Sequence, residues 1–235
     1  MNLLLLEETD FIDADHVRLS GRRLAHMLDI QQVGVGDTLR VGRINGLMGQ
    51  GTVLDLDKNS ALLNVVLNEQ PPAKLPLTLL LAMPRPKMFR RILQHCATLG
   101  VPEIILLNSV RVEKSFWQTP FLQPEVVRDN LLLGLEQARD TVLPAVRIEK
   151  RFKPLVEDSL PGIIDGRLAL VAHPGDYPAC PRGIDQPLTL AIGPEGGWSD
   201  REREEHAVAG RVGVTLGPRT LRVETAAVVA VAQVL

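Results

Sequence analysis

The chain reads as an α/β protein in which a parallel sheet follows a smaller β-barrel, and three observations predict this. Residues 1–70 hold short strand-like runs broken by turn signals, with a single helix among them. Residues 71–76 hold Pro71, Pro72 and Pro76, a composition that denies both helix and ladder pairing and reads as a short stiff linker. From residue 77 to 235, continuous apolar runs alternate with helical ones, the pattern of a parallel sheet covered on both faces. Two domains, 1–70 and 77–235, follow.

Composition supports folded cores and narrows the function classes. The chain has 235 residues, 45% of them apolar, enough for a core in each domain. Aromatics make up only 3%, so the cores are aliphatic, and modules that stack bases on aromatic platforms are disfavoured. The formal net charge is −2, so any contact with a polyanion must come from a local patch. Cys96 and Cys180 form neither a metal nor a redox spacing. No metal site is expected, and a reducing, cytoplasmic compartment fits. Residues 1–6 are apolar but stop at Glu7-Glu8, too short for a signal peptide and without a basic lead-in. No run approaches a membrane span, so no membrane association is expected.

In chain order, residues 1–6 read as a first strand. A short helix follows, with Ser20 as its cap and Leu24, Met27 and Leu28 facing inward. Strands are predicted over 38–44, 49–56 and 61–67, and Asn45-Gly46 is a hairpin signal. Arg18, Arg22, Arg23, Arg40 and Arg43 are candidate phosphate contacts, with a solvated face as the alternative, because acids outnumber bases over 1–58.

Beyond the prolines, 77–83 is a continuous apolar strand. Met88, Ile92, Cys96 and Leu99 then mark one face of a helix over 87–99, ended by Gly100. Residues 103–107 form the next buried strand, and 124–140 a long helix opened by Pro124. Strands over 167–171, 188–192 and 212–216 follow. Between strand and helix, 84–91 carries Arg85, Lys87, Arg90 and Arg91 with no acid. It is the best basic patch in the chain and a candidate functional rim at a strand's carboxyl end, with a solvated helix face as the alternative. Lys150, Arg151 and Lys153 read as surface. Residues 177–187 are Pro-rich and loop-like. Ser199 and Glu202 form a capping box that starts a helix, and 223–235 is a helix so apolar that it must be buried, a subunit interface being a reasonable host.

The chemistry concentrates in two glycine-bearing turns at strand ends, 193–199 (GPEGGWS) and 216–226 (LGPRTLRVETA). Glycine lets backbone come close to a ligand, and ligands of parallel sheets sit beyond the carboxyl ends of strands. The plain alternative is a tight turn whose glycines only satisfy a positive φ. A phosphate cradle is disfavoured. The first turn lacks a P-loop lysine, and Arg201 is the only base among Glu195, Asp200 and Glu202. A ligand bearing cationic groups suits it better.

The two motifs together resemble the bacterial RsmE family, SPOUT-class methyltransferases of 16S ribosomal RNA. The resemblance implies transfer of a methyl group from S-adenosylmethionine, which carries a sulfonium and an ammonium, to N3 of a uridine. It further implies a PUA-like barrel over 1–70, a C-terminal trefoil knot and a homodimer acting on 16S RNA or the small ribosomal subunit. Onto the matching positions it carries a cofactor site at Ile192, Gly193, Glu195, Gly196, Gly197, Leu216, Gly217, Thr220 and Leu221. His173 and Pro174 match the family's LHP turn and would add a third wall. Arg222 matches the arginine of its LRxETA motif; with Arg219 it would stabilise charge developing on the uracil oxygens. Glu224 is a general base, an orienter of arginine, or the acid of a helix first turn.

Residues 84–91 match the family's lysine-bearing turn, and 136–140 its EQ-containing helix end. Three departures stand beside these matches: Thr98 where the family has glutamate, Asp140-Thr141 where an arginine commonly follows, and a first strand without arginine. A SPOUT enzyme acting on another RNA and a non-catalytic RNA- or ribosome-binding homologue are the alternatives.

Overall fold

A computed structural model describes residues 2–235. The chain packs as two units. The first runs through Ala73 and also takes Leu132–Leu143; the second is Lys74–Leu131 with Pro144–Leu235.

The first unit is a curled five-stranded sheet of the kind a small barrel is built from. Its strands are β1 (Leu4–Leu6), β2 (His16–Leu19), β3 (Thr38–Arg43), β4 (Met48–Leu56) and β5 (Ala61–Glu69), in the order β1-β3-β4-β5-β2. Only β1 and β3 pair in parallel. Helix α1 (Gly21–Asp29) adds Leu24 and Met27 to an aliphatic core that includes Leu6, Leu19, Val41 and Leu63. The hairpin turns at Asn45, whose φ of 58° is the left-handed conformation Asn tolerates. Register shifts at Met48/Gly49 and Val53/Asp55 bend β4. At the first of them the strands come so close that a Cβ on Gly49 would lie 1.9 Å from the Val66 carbonyl oxygen. Ser20 occupies the cap position of α1 but makes no side-chain capping bond.

Residues 132–143 join this unit through specific bonds. The Glu136 backbone carbonyl accepts from Asn2 and Leu3 N–H at 3.0 and 3.1 Å. Its carboxylate, 3% exposed, takes two bonds from the Arg22 guanidinium at 2.6 and 3.0 Å. Thr141 Oγ1 donates to the Gly46 carbonyl, and Asn45 Oδ1 accepts from Leu143 N–H at 2.8 Å.

The second unit is a six-stranded, wholly parallel sheet in the order β11-β9-β10-β6-β7-β8. Its strands are β6 (Leu77–Ala82), β7 (Glu103–Leu107), β8 (Ala145–Glu149), β9 (Leu168–Ala172), β10 (Leu188–Ile192) and β11 (Val212–Val214). β6 and β10 are buried at every residue, as a sheet covered on both faces requires. The helices are α2 (Pro86–Thr98), α3 (Pro124–Ala138), the short α4 (Phe152–Pro154) and α5 (Leu160–Ile164), α6 (Asp200–Val208) and α7 (Val223–Val234). α7 packs on α2 and β10. Strand β8, absent from the sequence reading, is an edge strand with a largely exposed pattern, so it shows no apolar run.

Among the described residues no helix is long and apolar enough to cross a membrane, and no cluster of His, Cys, Asp and Glu could hold a metal.

Candidate functional site

From β6 the chain steps outward to β7 and β8, then returns to the other side of β6 for β9 and β10. The order therefore reverses between β6 and β10, and a crevice opens at such a switch point, beyond the carboxyl ends of the strands. A cavity of about 970 Å³ lies there. The segments that leave β6, β9, β10 and β11 all line it.

Gly193, Glu195 and Gly197 of the first turn face the cavity with Ile192, the last residue of β10. The glycines answer mainly to protein neighbours. A Cβ on Gly193 would stand 3.1 Å from the buried Trp198 ring, and one on Gly196 would stand 3.2 Å from the Arg111 side chain. Gly197 has a φ of 69°, and a Cβ there would meet the His173 ring at 3.3 Å. Arg111, which the sequence reading did not single out, donates to the Gly196 carbonyl at 2.6 Å and braces the turn.

The acids of this turn do different work from that expected of them. Glu195 lines the cavity while accepting from the Arg85 N–H at 3.0 Å, which ties the turn to the segment after β6. Asp200 pairs with Arg203. Glu202 is 1% exposed and completes the capping box of α6: its carboxylate accepts from Ser199 N–H at 2.9 Å, and Ser199 Oγ accepts from Glu202 N–H at 3.3 Å. Its other oxygen takes the Val110 N–H at 2.9 Å. Burial pushes the Glu202 pKa up, but the hydrogen bonds from Ser199 and Val110 outweigh it and hold the carboxyl below its ordinary value. The turn's acidity is thus engaged within the protein, and Glu195 is its one acid on the cavity wall.

The second turn supplies Leu216, Gly217, Arg219, Thr220, Leu221 and Arg222. Gly217, at a φ of 128°, has nothing within 4 Å of an added Cβ, so here glycine leaves open floor. Arg222 occupies the N-cap position of α7 without a side-chain capping bond, and Glu224 stands in the first turn and also lines the cavity. A carboxylate there is favoured by the helix dipole.

His173 and Pro174 close the third wall. The only tyrosine of the chain, Tyr177, stands edge-on to His173 at 5.9 Å and covers Gly213, where a Cβ would approach its ring to 2.6 Å. Its hydroxyl accepts from Arg203 at 3.0 Å. Burial, then the nearby Arg203 and Arg111, hold the His173 pKa below its ordinary value, so the imidazole facing the cavity is neutral near pH 7.

Of the basic patch, Arg85 and Lys87 reach the cavity; Arg90 and Arg91 are exposed on α2 outside it. Gly196, expected at the cofactor site, does not line the cavity, although Glu195 and Gly197 on either side of it do. In the first unit Arg18 is exposed on β2, whereas Arg22 and Arg23 have structural tasks. Arg22 neutralises the buried Glu136; Arg23, mostly buried, pairs with Asp10 and donates to the Leu5 carbonyl at 2.9 Å. Arg40 and Arg43 pair with Glu69 and Glu8. Phe116 and Phe121 line the cavity without having been anticipated. They sit in the 3-10 turns Lys114–Gln118 and Pro120–Leu122, where isolated aromatics show no periodicity.

A family model described as an RNA methyltransferase domain matches residues 71–235. The ribosomal RNA small subunit methyltransferase E of Treponema pallidum (strain Nichols) is 32% identical over 254 residues, covering 100% of this chain and 91% of that protein. The protein of the same name from Synechocystis sp. (strain ATCC 27184 / PCC 6803 / Kazusa) is 29% identical, covering 93% of this chain and 72% of that one. A crystal structure of a ribosomal RNA small subunit methyltransferase E from Neisseria gonorrhoeae bound to S-adenosyl methionine shares the fold. Its TM-score is 0.78 at 22% identity, over 99% of this chain and 95% of that one. By its domain match and its full-length relatives, the chain belongs to the RNA methyltransferase family that includes the ribosomal RNA small subunit methyltransferase E proteins.

Proposed function

We infer that the chain transfers the methyl group of S-adenosylmethionine to N3 of one uridine in 16S ribosomal RNA. The observation that carries this reading is the cavity of about 970 Å³ at the sheet's switch point, walled by both glycine turns. Its lining fits the cofactor. Ile192, Leu216 and Leu221 offer aliphatic surface for an adenine, and Gly217 offers backbone without a Cβ. Bound S-adenosylmethionine would supply the electrophilic methyl.

The chain's own residues then have separable tasks. The glycine turns and the 172–174 wall hold the cofactor, with Glu195 fixing the first turn to Arg85. Arg222, with Arg219, places positive charge where the deprotonated imide would spread its electrons over O2 and O4. Glu224, two residues after Arg222 on the cavity wall, orients that guanidinium. Arg85 and Lys87 carry the cavity's rim toward the RNA backbone, joined on the outer face of α2 by Arg90 and Arg91. Positioning accounts for much of the acceleration in such a site.

At larger scale, residues 1–70 act as a PUA-like RNA-binding domain, with Arg18 exposed on its surface for phosphate. Residues 71–76 link it to a SPOUT domain over 77–235. In this reading the C-terminal segment forms a trefoil knot, supported by the bonds that the 177–187 loop makes to it, Cys180 N–H to the Thr215 carbonyl and Ile184 N–H to the Val234 carbonyl. The active form is a cytoplasmic homodimer, its apolar α7 at the interface. Incubation with methyl-labelled S-adenosylmethionine and small ribosomal subunits, followed by mapping of the labelled nucleotide, tests the assignment. The expected product is 3-methyluridine at one site; label in another base or only in another RNA would refute it.

A further inference from the structure

We propose that Phe116, flanked by Phe121, is the seat of the target base after it leaves its strand, an inference that rests on the methyl-transfer reading above. N3 of uridine lies on the Watson–Crick edge, so an enzyme acting there must take the base unpaired, laid into a pocket and held by stacking. The cavity, at about 970 Å³, stands at the top of the ~300–1,000 Å³ range of small-molecule sites.

Its lining holds two kinds of apolar surface: glycine backbone with aliphatic side chains, and two half-buried phenyl rings. In a chain with five phenylalanines, two lining one cavity call for a ligand with a flat face. The third aromatic of that segment, Trp117, is engaged elsewhere: its Nε1 donates to Asn108 at 2.9 Å and Lys150 lies over its ring. The guanidinium of Arg90 lies over the Phe121 ring, 4.9 Å from its centroid, which leaves Phe116 as the ring for stacking. A cation is thereby held at the edge of the seat, suited to a nucleotide's phosphate.

The segment is fixed in place. Glu202 holds Val110 N–H, and Arg111 reaches the Gly196 carbonyl. The same bonds that shape the first glycine turn therefore set the distance from that turn to the rings, which is what in-line transfer needs.

Steady-state methylation of small ribosomal subunits by Phe116→Ala, Phe116→Leu and Phe116→Trp, with calorimetric titration of S-adenosylmethionine into each, tests the seat. The Ala and Leu variants are expected to raise KM for the subunit by about tenfold to a hundredfold, the loss of one stacked base. Cofactor affinity should be unchanged, and Trp should restore KM. Leu keeps apolar bulk without a flat face, so it separates stacking from packing. An unchanged KM in an active Leu variant overturns the proposal, as does a loss of cofactor affinity, which would give the ring to the cofactor. If the parent protein methylates no small-subunit RNA, it is the functional reading itself that fails.

Discussion

Gly193, Gly196, Gly197 and Gly217 share a residue type and not a reason. Trp198 fills the space beside the first, Arg111 beside the second, and His173 beside the third; only Gly217 leaves open floor. The sequence showed that these positions matter, because a motif of four glycines in two turns is legible. It could not show which neighbour each one accommodates, because Arg111 and His173 come from other segments and the fold of the turn decides that Trp198 packs on Gly193. Its charge argument reached a cationic cofactor by a route the structure does not follow, since Asp200 and Glu202 are engaged with Arg203 and Ser199. At this scale Arg222 gives the sharpest prediction. Arg222→Ala should leave S-adenosylmethionine affinity unchanged and lower kcat by about 10²–10³-fold, the cost of losing one donor to a developing oxyanion. Single-turnover methyl transfer alongside calorimetry checks both halves.

Elements were legible where local signals coincide. The capping box of α6, the Asn45-Gly46 turn and the apolar runs of β6, β7 and β10 stand as expected, within a residue or so at their ends. β2 and β8 were not seen. One is short, and the other lies at the sheet edge with a polar pattern. Ser199→Ala should lower unfolding stability by about 1 kcal/mol through loss of the cap, and should also loosen the 108–123 segment, because Glu202 holds both; denaturant melts and hydrogen exchange read the two effects.

α6 carries a pH dependence as well. His206 is buried against Trp198 and Phe152, and its Nδ1 accepts from Arg211 at 2.7 Å. Burial, then the Arg211 charge, push its pKa down to about 3 from the ordinary 6.5. A group held below its unfolded value contributes stability that is complete above pH 6.5 and is lost as pH falls toward 3. Stability should therefore drop by up to about 1.4 kcal/mol per pH unit in that window. His206→Gln, whose carbonyl still accepts from Arg211, should flatten the drop in equilibrium melts taken across it.

For the whole chain, the change of texture at the prolines was plain, and so was the alternation that makes a parallel sheet. The return of Leu132–Leu143 to the first unit was not, because it depends on Arg22 meeting Glu136 across more than a hundred residues of sequence. That pair also explains the Glu136-Gln137 helix end in structural terms: Glu136 is a buried carboxylate that needs a cation. Arg22→Ala should destabilise the first unit by about 1–2 kcal/mol, less than a fully buried pair would cost because Arg22 is itself 56% exposed. Arg18→Ala should leave stability unchanged and weaken RNA binding with a shallower salt dependence. Melts and filter binding at two salt concentrations separate the two arginines.

The central claim is that the cavity between the two glycine turns is the S-adenosylmethionine site. Calorimetric titration of the cofactor into the parent protein and into Gly197→Val tests it most directly. At a φ of 69°, with a Cβ 3.3 Å from His173, valine would both strain the turn and push on the third wall. Saturable binding by the parent and its loss in the variant, with the melting cooperativity of the second unit retained, are the predicted results. Equal affinity in the two proteins would contradict the claim.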